Sequence, residues 1–230
     1  MAHMTQRSFV LVPGAAGTAG FWQRVEPLIQ QAGFSSVGVS LPNWPGATFT
    51  DHAEAIVAAA KGAEQITLVA QSMGAFSAPL TCDRLPVAEL VLLNAMIPAP
   101  GETAGDWWDN TGQAEALRAN DLRQGRDPEA GFDPQTHFLH DLPPDVLAAL
   151  TASGDEQPVD SLFETAFPLD RWPDVPTSVL AGRDDRFFPL EFQRRLAKDR
   201  LGLEVEELPG GHLLALSQPE ALVARLVRDL

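Results

Sequence analysis

The stretch Ile66-Thr67-Leu68-Val69-Ala70-Gln71-Ser72-Met73-Gly74 decides how the rest of the chain is read. Its first half is a short apolar run with β-branched residues, the character of a strand covered on both faces. Its second half sets a serine between small residues, Ala70 two positions before and Gly74 two after, and a helical pattern from Met73 to Cys82 follows directly. At a glycine frequency of about 7% such a pattern arises by chance roughly once in a chain of this size, so the five letters alone carry little. Position adds the weight. At a tight strand-to-helix turn the serine takes a strained backbone conformation that pushes its hydroxyl out at the carboxyl end of the sheet, where bulky flanking side chains would collide. The plainer alternative is a serine that caps the following helix.

Runs of the same kind recur at Ser8 to Val12, Ser36 to Val39, Leu90 to Leu93, Thr177 to Ala181 and Leu203 to Val205. Helical patterns at Phe21 to Gln31 and Asp51 to Ala60 fill gaps between them, and strands alternating with helices of this length imply βαβ units. The fold expected is therefore α/β: a doubly wound, mostly parallel sheet of about six strands. Ser217 followed three residues later by Glu220 reads as a capping box for a last helix, with Pro219 in its first turn and Leu222, Val223, Leu226 and Val227 on one face. The alternation fails only over about 97–174, a stretch rich in Pro, Gly, Asp and Trp with short helical patterns at Trp107-Trp108, Gln113 to Asn120, Asp145 to Leu150 and Ser161 to Phe167. It reads as a helical cap inserted after the fourth strand of a single domain spanning 1–230, with Met1 to Met4 as an expression-vector remnant.

With 45% hydrophobic and 20% charged residues the chain has an ordinary globular composition. A net charge of -15 would repel phosphate backbones and anionic headgroups at long range, so neither nucleic acid nor a membrane surface is an expected partner. Cys82 is the single cysteine, which rules out an intramolecular disulfide and leaves the cytoplasm as the expected compartment. A small-molecule substrate is the expected partner, no cofactor is called for, and association into a homodimer stays open.

A serine hydroxyl has a pKa far above 7 and needs a base within hydrogen-bond reach, which in turn needs an orienting group. Gly182-Arg183-Asp184-Asp185 follows the fifth apolar run and Gly210-Gly211-His212 follows the sixth, giving the chain order Ser, Asp, His. Paired glycines before His212 let its loop turn sharply toward the serine. His137 and His140 sit three apart in the cap and could share a helix face toward a metal, but no third ligand accompanies them and no metal site is expected. Val12-Pro13-Gly14-Ala15-Ala16-Gly17 follows the first run and precedes a helix. It lacks the Lys-Ser/Thr of a phosphate-binding loop and the glycine spacing of a dinucleotide fingerprint. Its use as an oxyanion hole fits better, the N–H of Ala15 joining that of Met73, with an ordinary strand-to-helix turn as the alternative.

Over essentially its whole length the chain resembles the α/β-hydrolase superfamily, and within it the small esterase and hydroxynitrile lyase branch. The residues that carry the resemblance are Val12-Pro13-Gly14-Ala15, Gln71-Ser72-Met73-Gly74, Asn94-Ala95-Met96-Ile97-Pro98, Gly182 to Asp185, and Gly211-His212. Pro13 departs from the family's usual histidine. The resemblance implies Ser72, Asp185 and His212 as a triad, with Ala15 and Met73 supplying the oxyanion hole. Asp185 is preferred to Asp184 because the family's acid usually falls three residues after the strand-end glycine. Lyase members carry a lysine directly after the histidine; here that position is Leu213, which argues against cyanohydrin cleavage. The implied activity is cleavage of a small or medium, largely apolar ester, thioester or lactone through an acyl-enzyme. A non-hydrolytic lyase or cyclase on the same scaffold and a non-catalytic receptor are the alternatives. Trp107, Trp108, Phe138 and Phe163, with Phe132, are the expected substrate-contacting residues of the cap.

Overall fold

A computed structural model describes residues 7–153, 157–228 and 230; the segment Met1 to Met4 lies outside the described residues. In chain order the elements are β1 (Arg7–Val12), α1 (Glu26–Gln31), β2 (Ser35–Gly38), α2 (Phe49–Ala59), β3 (Gln65–Gln71), β4 (Val87–Leu93), α3 (Asp106–Thr111), α4 (Gln113–Arg123), α5 (Pro134–His137), α6 (Pro144–Ser153), α7 (Asp160–Glu164), β5 (Thr177–Gly182), α8 (Leu190–Leu201), β6 (Val205–Leu208), α9 (Leu214–Ser217) and α10 (Pro219–Leu226). The strands form one sheet in the order β2-β1-β3-β4-β5-β6, and every pairing is parallel.

Side chains alternate across this sheet into two cores, as the two-residue period of a strand requires. Val10, Val12, Leu68, Ala70, Leu90 and Leu92 enter one cluster together with residues of α2 and α8. Phe9, Leu11, Val69, Val91 and Leu93 enter the other, against Ile29 of α1 and Leu222 and Leu226 of α10. Both faces are sealed from water, which is why the strands read as unbroken apolar runs. The chain leaves β1 toward β2 on one side and returns to β3 on the other, so strand order reverses between β1 and β3. A crevice opens at the carboxyl ends of strands at such a switch point.

Some local expectations need correction. The helix expected over Met73 to Cys82 is two 3-10 turns, Ser72–Phe76 and Ala78–Thr81. Pro79 has no N–H to return to Ala75, so the longer helical ladder cannot run through. Phe21 to Gln31 splits likewise into a 3-10 turn, Ala19–Trp22, and α1. The Ser217–Glu220 capping box does not form: Ser217 ends α9, its hydroxyl is buried without a partner, and the N-cap of α10 is Gln218. A capping box stands instead at α2, where the Thr48 N–H donates to Asp51 and the Asp51 N–H to the Thr48 hydroxyl. The last strand begins at Val205, because its register against Val179 to Gly182 of β5 starts there, and Glu206 and Glu207 on this edge strand hide its apolar signal.

Between β4 and β5 the chain runs through α3 to α7, and the β-contact seen there among the described residues is the bridge Thr103–Ala166. Trp107, Leu162 and Phe167 press this segment into the sheet's larger core. Polar anchors hold it as well. Glu102 forms a two-pronged ion pair with Arg200 of α8 at 2.6 and 2.9 Å, Arg195 donates to the carbonyl of Thr111, and the Gln113 amide donates to that of Phe187.

Candidate active site

Three non-glycine residues among the described ones have positive φ: Ala16 at 52°, Ser72 at 51° and Asn94 at 44°. Each lies just past the end of β1, β3 or β4. Such strain costs on the order of 1–3 kcal/mol per residue and persists only where the surroundings over-determine it. Here those surroundings are close backbone contacts. A Cβ on Gly74 would stand 2.6 Å from the Pro13 carbonyl, and one on Gly14 would stand 2.5 Å from the Gln71 side chain and 3.1 Å from the Ser72 Cβ. The small residue two positions after the serine is thus required by the loop following β1, which lies directly against the turn.

The strand ends bring Ser72, His212 and Asp185 into one line. The Ser72 hydroxyl lies 3.3 Å from His212 Nε2, and His212 Nδ1 lies 2.8 Å from Asp185 Oδ2. The histidine and aspartate are 1% and 3% exposed, while Ser72 stays partly open. Because the carboxylate accepts at Nδ1, the proton sits on that nitrogen and the lone pair of Nε2 faces the serine. The other Asp185 oxygen accepts the N–H groups of Phe187 and Phe188 at 2.8 and 2.9 Å, which fixes the carboxylate plane. Asp184, its neighbour, points elsewhere: it pairs with Arg183 at 3.1 Å and accepts the N–H of Gly210. Burial alone would raise the Asp184 carboxyl, but Arg183 and that N–H outweigh it and hold it below the usual range.

Gly182 lets the acid and histidine loops meet, since a Cβ there would lie 2.4 Å from the Gly210 carbonyl and 2.7 Å from that of Gly211. Phe138 stacks on the His212 ring, centroids 4.8 Å apart and planes 19° from parallel, and Phe187 and Phe188 meet the same ring edge-on. The imidazole is therefore packed on several sides by phenyl rings. His140 approaches the same loop, its Nε2 lying against Gly211, and burial followed by the charge of Arg186 lowers its pKa. His137 faces away from it, bonded to Asp121 at 3.3 Å, so the two histidines share no site.

Ala15 is exposed at the tip of the loop after β1, and its N–H meets no acceptor among the described residues. Met73 is the second residue of its 3-10 turn, where a helical N–H has no intrahelical partner. The cap residues named from sequence fall into two groups. Trp108 and Phe132 line a cavity of about 450 Å³ with Gln113, Leu117, Arg118 and Phe187. Trp107 does not face solvent: it is 0% exposed, with its indole N–H donated to the Ile97 carbonyl. Phe163 packs against the same core. Trp107 fills space between segment and sheet, which corrects its expected place as a substrate contact, whereas Phe163 is only partly buried. Sequence reasoning missed Phe187 and Phe188, which follow the acid by two and three residues and bond it through the backbone.

The alpha/beta hydrolase family matches residues 9–226, and the chain belongs to it. Polyneuridine aldehyde esterase of Rauvolfia serpentina is 24% identical over 93% of this chain and 92% of its own length. An alpha/beta hydrolase of Aspergillus novofumigatus is 25% identical over 98% and 97%. Among solved structures, polyneuridine aldehyde esterase superposes with a TM-score of 0.77 at 23% identity, covering 97% of this chain and 98% of that one. A pyrethroid hydrolase from Sphingobium faniae gives 0.70 at 21%, covering 97% of each chain. A methylesterase from Arabidopsis gives 0.72 at 19%, covering 96% and 97%. The family match fixes the membership, and the solved structures share the fold.

Proposed function

We propose that the protein is a serine esterase that cleaves small or medium, uncharged, largely apolar carboxylic esters through an acyl-enzyme. The observation that carries this reading is the unbroken relay from the Ser72 hydroxyl through His212 to Asp185. In it, Ser72 attacks the ester carbonyl as His212 Nε2 takes its proton, and Asp185 stabilises the imidazolium that results. The negative oxygen of the tetrahedral intermediate accepts the N–H groups of Ala15 and Met73, each donor contributing on the order of 3 kcal/mol. His212 then protonates the departing alcohol, activates a water for attack on the acyl-enzyme, and returns the proton to Ser72. The segment 97–174 acts as a cap. The cavity lined by Trp108, Phe132 and Phe187 adjoins the relay through Phe187, which packs edge-on against His212, and suits an apolar group of modest size, while a charge of -15 slows the approach of anions. Ester-cleaving relatives such as polyneuridine aldehyde esterase support the same bond type.

The test is hydrolysis of neutral p-nitrophenyl esters from acetate to palmitate, with one half-ester of a dicarboxylic acid, by the native protein and by Ser72→Ala. We expect the native enzyme to favour short and medium neutral esters, and the well-folded variant to lose turnover. Full activity in the variant, a steady rise to palmitate, or preference for the anionic half-ester would overturn the corresponding part of this reading.

A further inference from the structure

Asn94 stands where the loops of the relay converge. It is 0% exposed, and its side chain makes three of the four hydrogen bonds open to an amide, between two loops that are distant in sequence. Nδ2 donates to the carbonyls of Gly211 and His212, each at 3.0 Å, and Oδ1 accepts the N–H of Gly182 at 2.7 Å. These partners fix which way the amide faces, since exchanging its ends would set oxygen against two carbonyls. Two residues on, the N–H of Met96 donates to the Ser72 carbonyl at 3.1 Å. One short segment at the end of β4 thus touches the serine turn, the acid loop and the histidine loop.

We infer that Asn94 is a positioning residue, which holds the His212 backbone against the acid loop so that Nε2 stays aimed at Ser72 and Nδ1 at Asp185. The φ of 44° is the means by which the side chain reaches both loops: an extended residue at the end of β4 would point it into one of the sheet's two cores. Asn tolerates this conformation better than most residues because its short polar side chain bonds locally. No substrate contact is involved, and the role is exerted wholly through His212 and Gly182. The inference rests on the esterase reading above.

Two variants separate positioning from folding. Asn94→Gly keeps the left-handed backbone and removes all three bonds. Asn94→Asp keeps the volume and the acceptor for Gly182 but sets a carboxylate against two carbonyls. The readout is the rate of covalent labelling of Ser72 by a fluorophosphonate, per folded molecule by circular dichroism, alongside kcat and KM on a short ester. Both variants should label and turn over about 100-fold more slowly, the loss expected when reacting groups are misplaced by about 1 Å, with KM little changed. Lowering the pH should restore Asn94→Asp relative to the native protein, because a protonated carboxyl regains one donor. Labelling of the folded variants at the native rate would overturn the inference, and if Asn94→Gly does not fold, Asn94→Asp decides alone. Failure of the native protein to label would instead count against the esterase reading itself.

Discussion

At the carboxyl ends of β1, β3, β5 and β6 the loops meet through close approaches at glycines and are bridged by the Asn94 side chain, whereas between β4 and β5 the chain is pinned to the sheet by large and charged side chains. Glycines 14, 74 and 182 let carbonyls and loops approach to distances that any Cβ would forbid, and the relay of Ser72, His212 and Asp185 is assembled there. In the segment 97–174, attachment rests on Trp107 in the core, the Glu102–Arg200 pair and bonds from Arg195 and Gln113. Side-chain anchors can be exchanged one at a time, while a backbone contact cannot be altered without moving a strand end. Chemistry should therefore be confined to the first region, and selectivity and a share of the stability to the second.

The sharpest division lies between two adjacent acids. Asp185→Asn should lower kcat by about 10⁴, as wrong orientation and tautomer of the histidine do in triads of this kind. Asp184→Asn, which gives up an exposed pair with Arg183, should cost far less. Assays of the two variants side by side decide this, and an inverted order would move the acid to Asp184.

A second pair of neighbours tests the helical segment. Trp107→Ala should destabilise the fold by about 4 kcal/mol, the cost of emptying a large aromatic site in a core, as read by urea denaturation. Trp108→Ala removes a cavity wall that is only partly buried against the core. It should cost clearly less stability than Trp107→Ala and raise the kcat/KM of hexanoate relative to acetate by about tenfold. If Trp107→Ala proved neutral for stability while altering ester preference, the division drawn between the two tryptophans would fail.

Next in size is the Glu102 anchor. Burial acts to raise the Glu102 carboxyl, but its bonds to Arg200, Asn110 and the Ala99 N–H prevail and hold it below the usual range. A carboxylate depressed in the folded state adds stability that is present above its unfolded pKa and lost as pH falls through the folded one. Glu102→Ala should cost about 3 kcal/mol at neutral pH by leaving Arg200 half-buried without its partner. The gap to the native protein should narrow on the acid side, and kcat per folded molecule should be nearly unchanged. Denaturation midpoints across pH 3 to 8 provide the check.

The same contrast explains which parts of the molecule are legible in its sequence. Strands sealed on both faces announce themselves as apolar runs, and the serine, acid and histidine follow their ends in order, so the sheet and the residues of the relay can be read directly. The edge strand reads as starting too early because Glu206 and Glu207 interrupt its apolar run, and the turn after Ser72 reads as one helix because Pro79 weighs on geometry more than on pattern. Asn94 is visible only as a letter at a strand end. Its bonds cross from β4 to loops near 182 and 212, and pairings that distant leave no local periodicity to detect. Trp107 and Trp108 are indistinguishable in sequence for the same reason: which of two adjacent rings enters the core depends on how α3 lies against α8.

The central claim is that Ser72 is an activated nucleophile. The most direct measurement is intact-mass spectrometry of the native protein after exposure to a fluorophosphonate, with peptide mapping of the adduct and Ser72→Ala as control. The account predicts one phosphonyl group per chain, mapped to Ser72, and none on the variant. An unmodified native protein, or an adduct formed equally on Ser72→Ala, would contradict it.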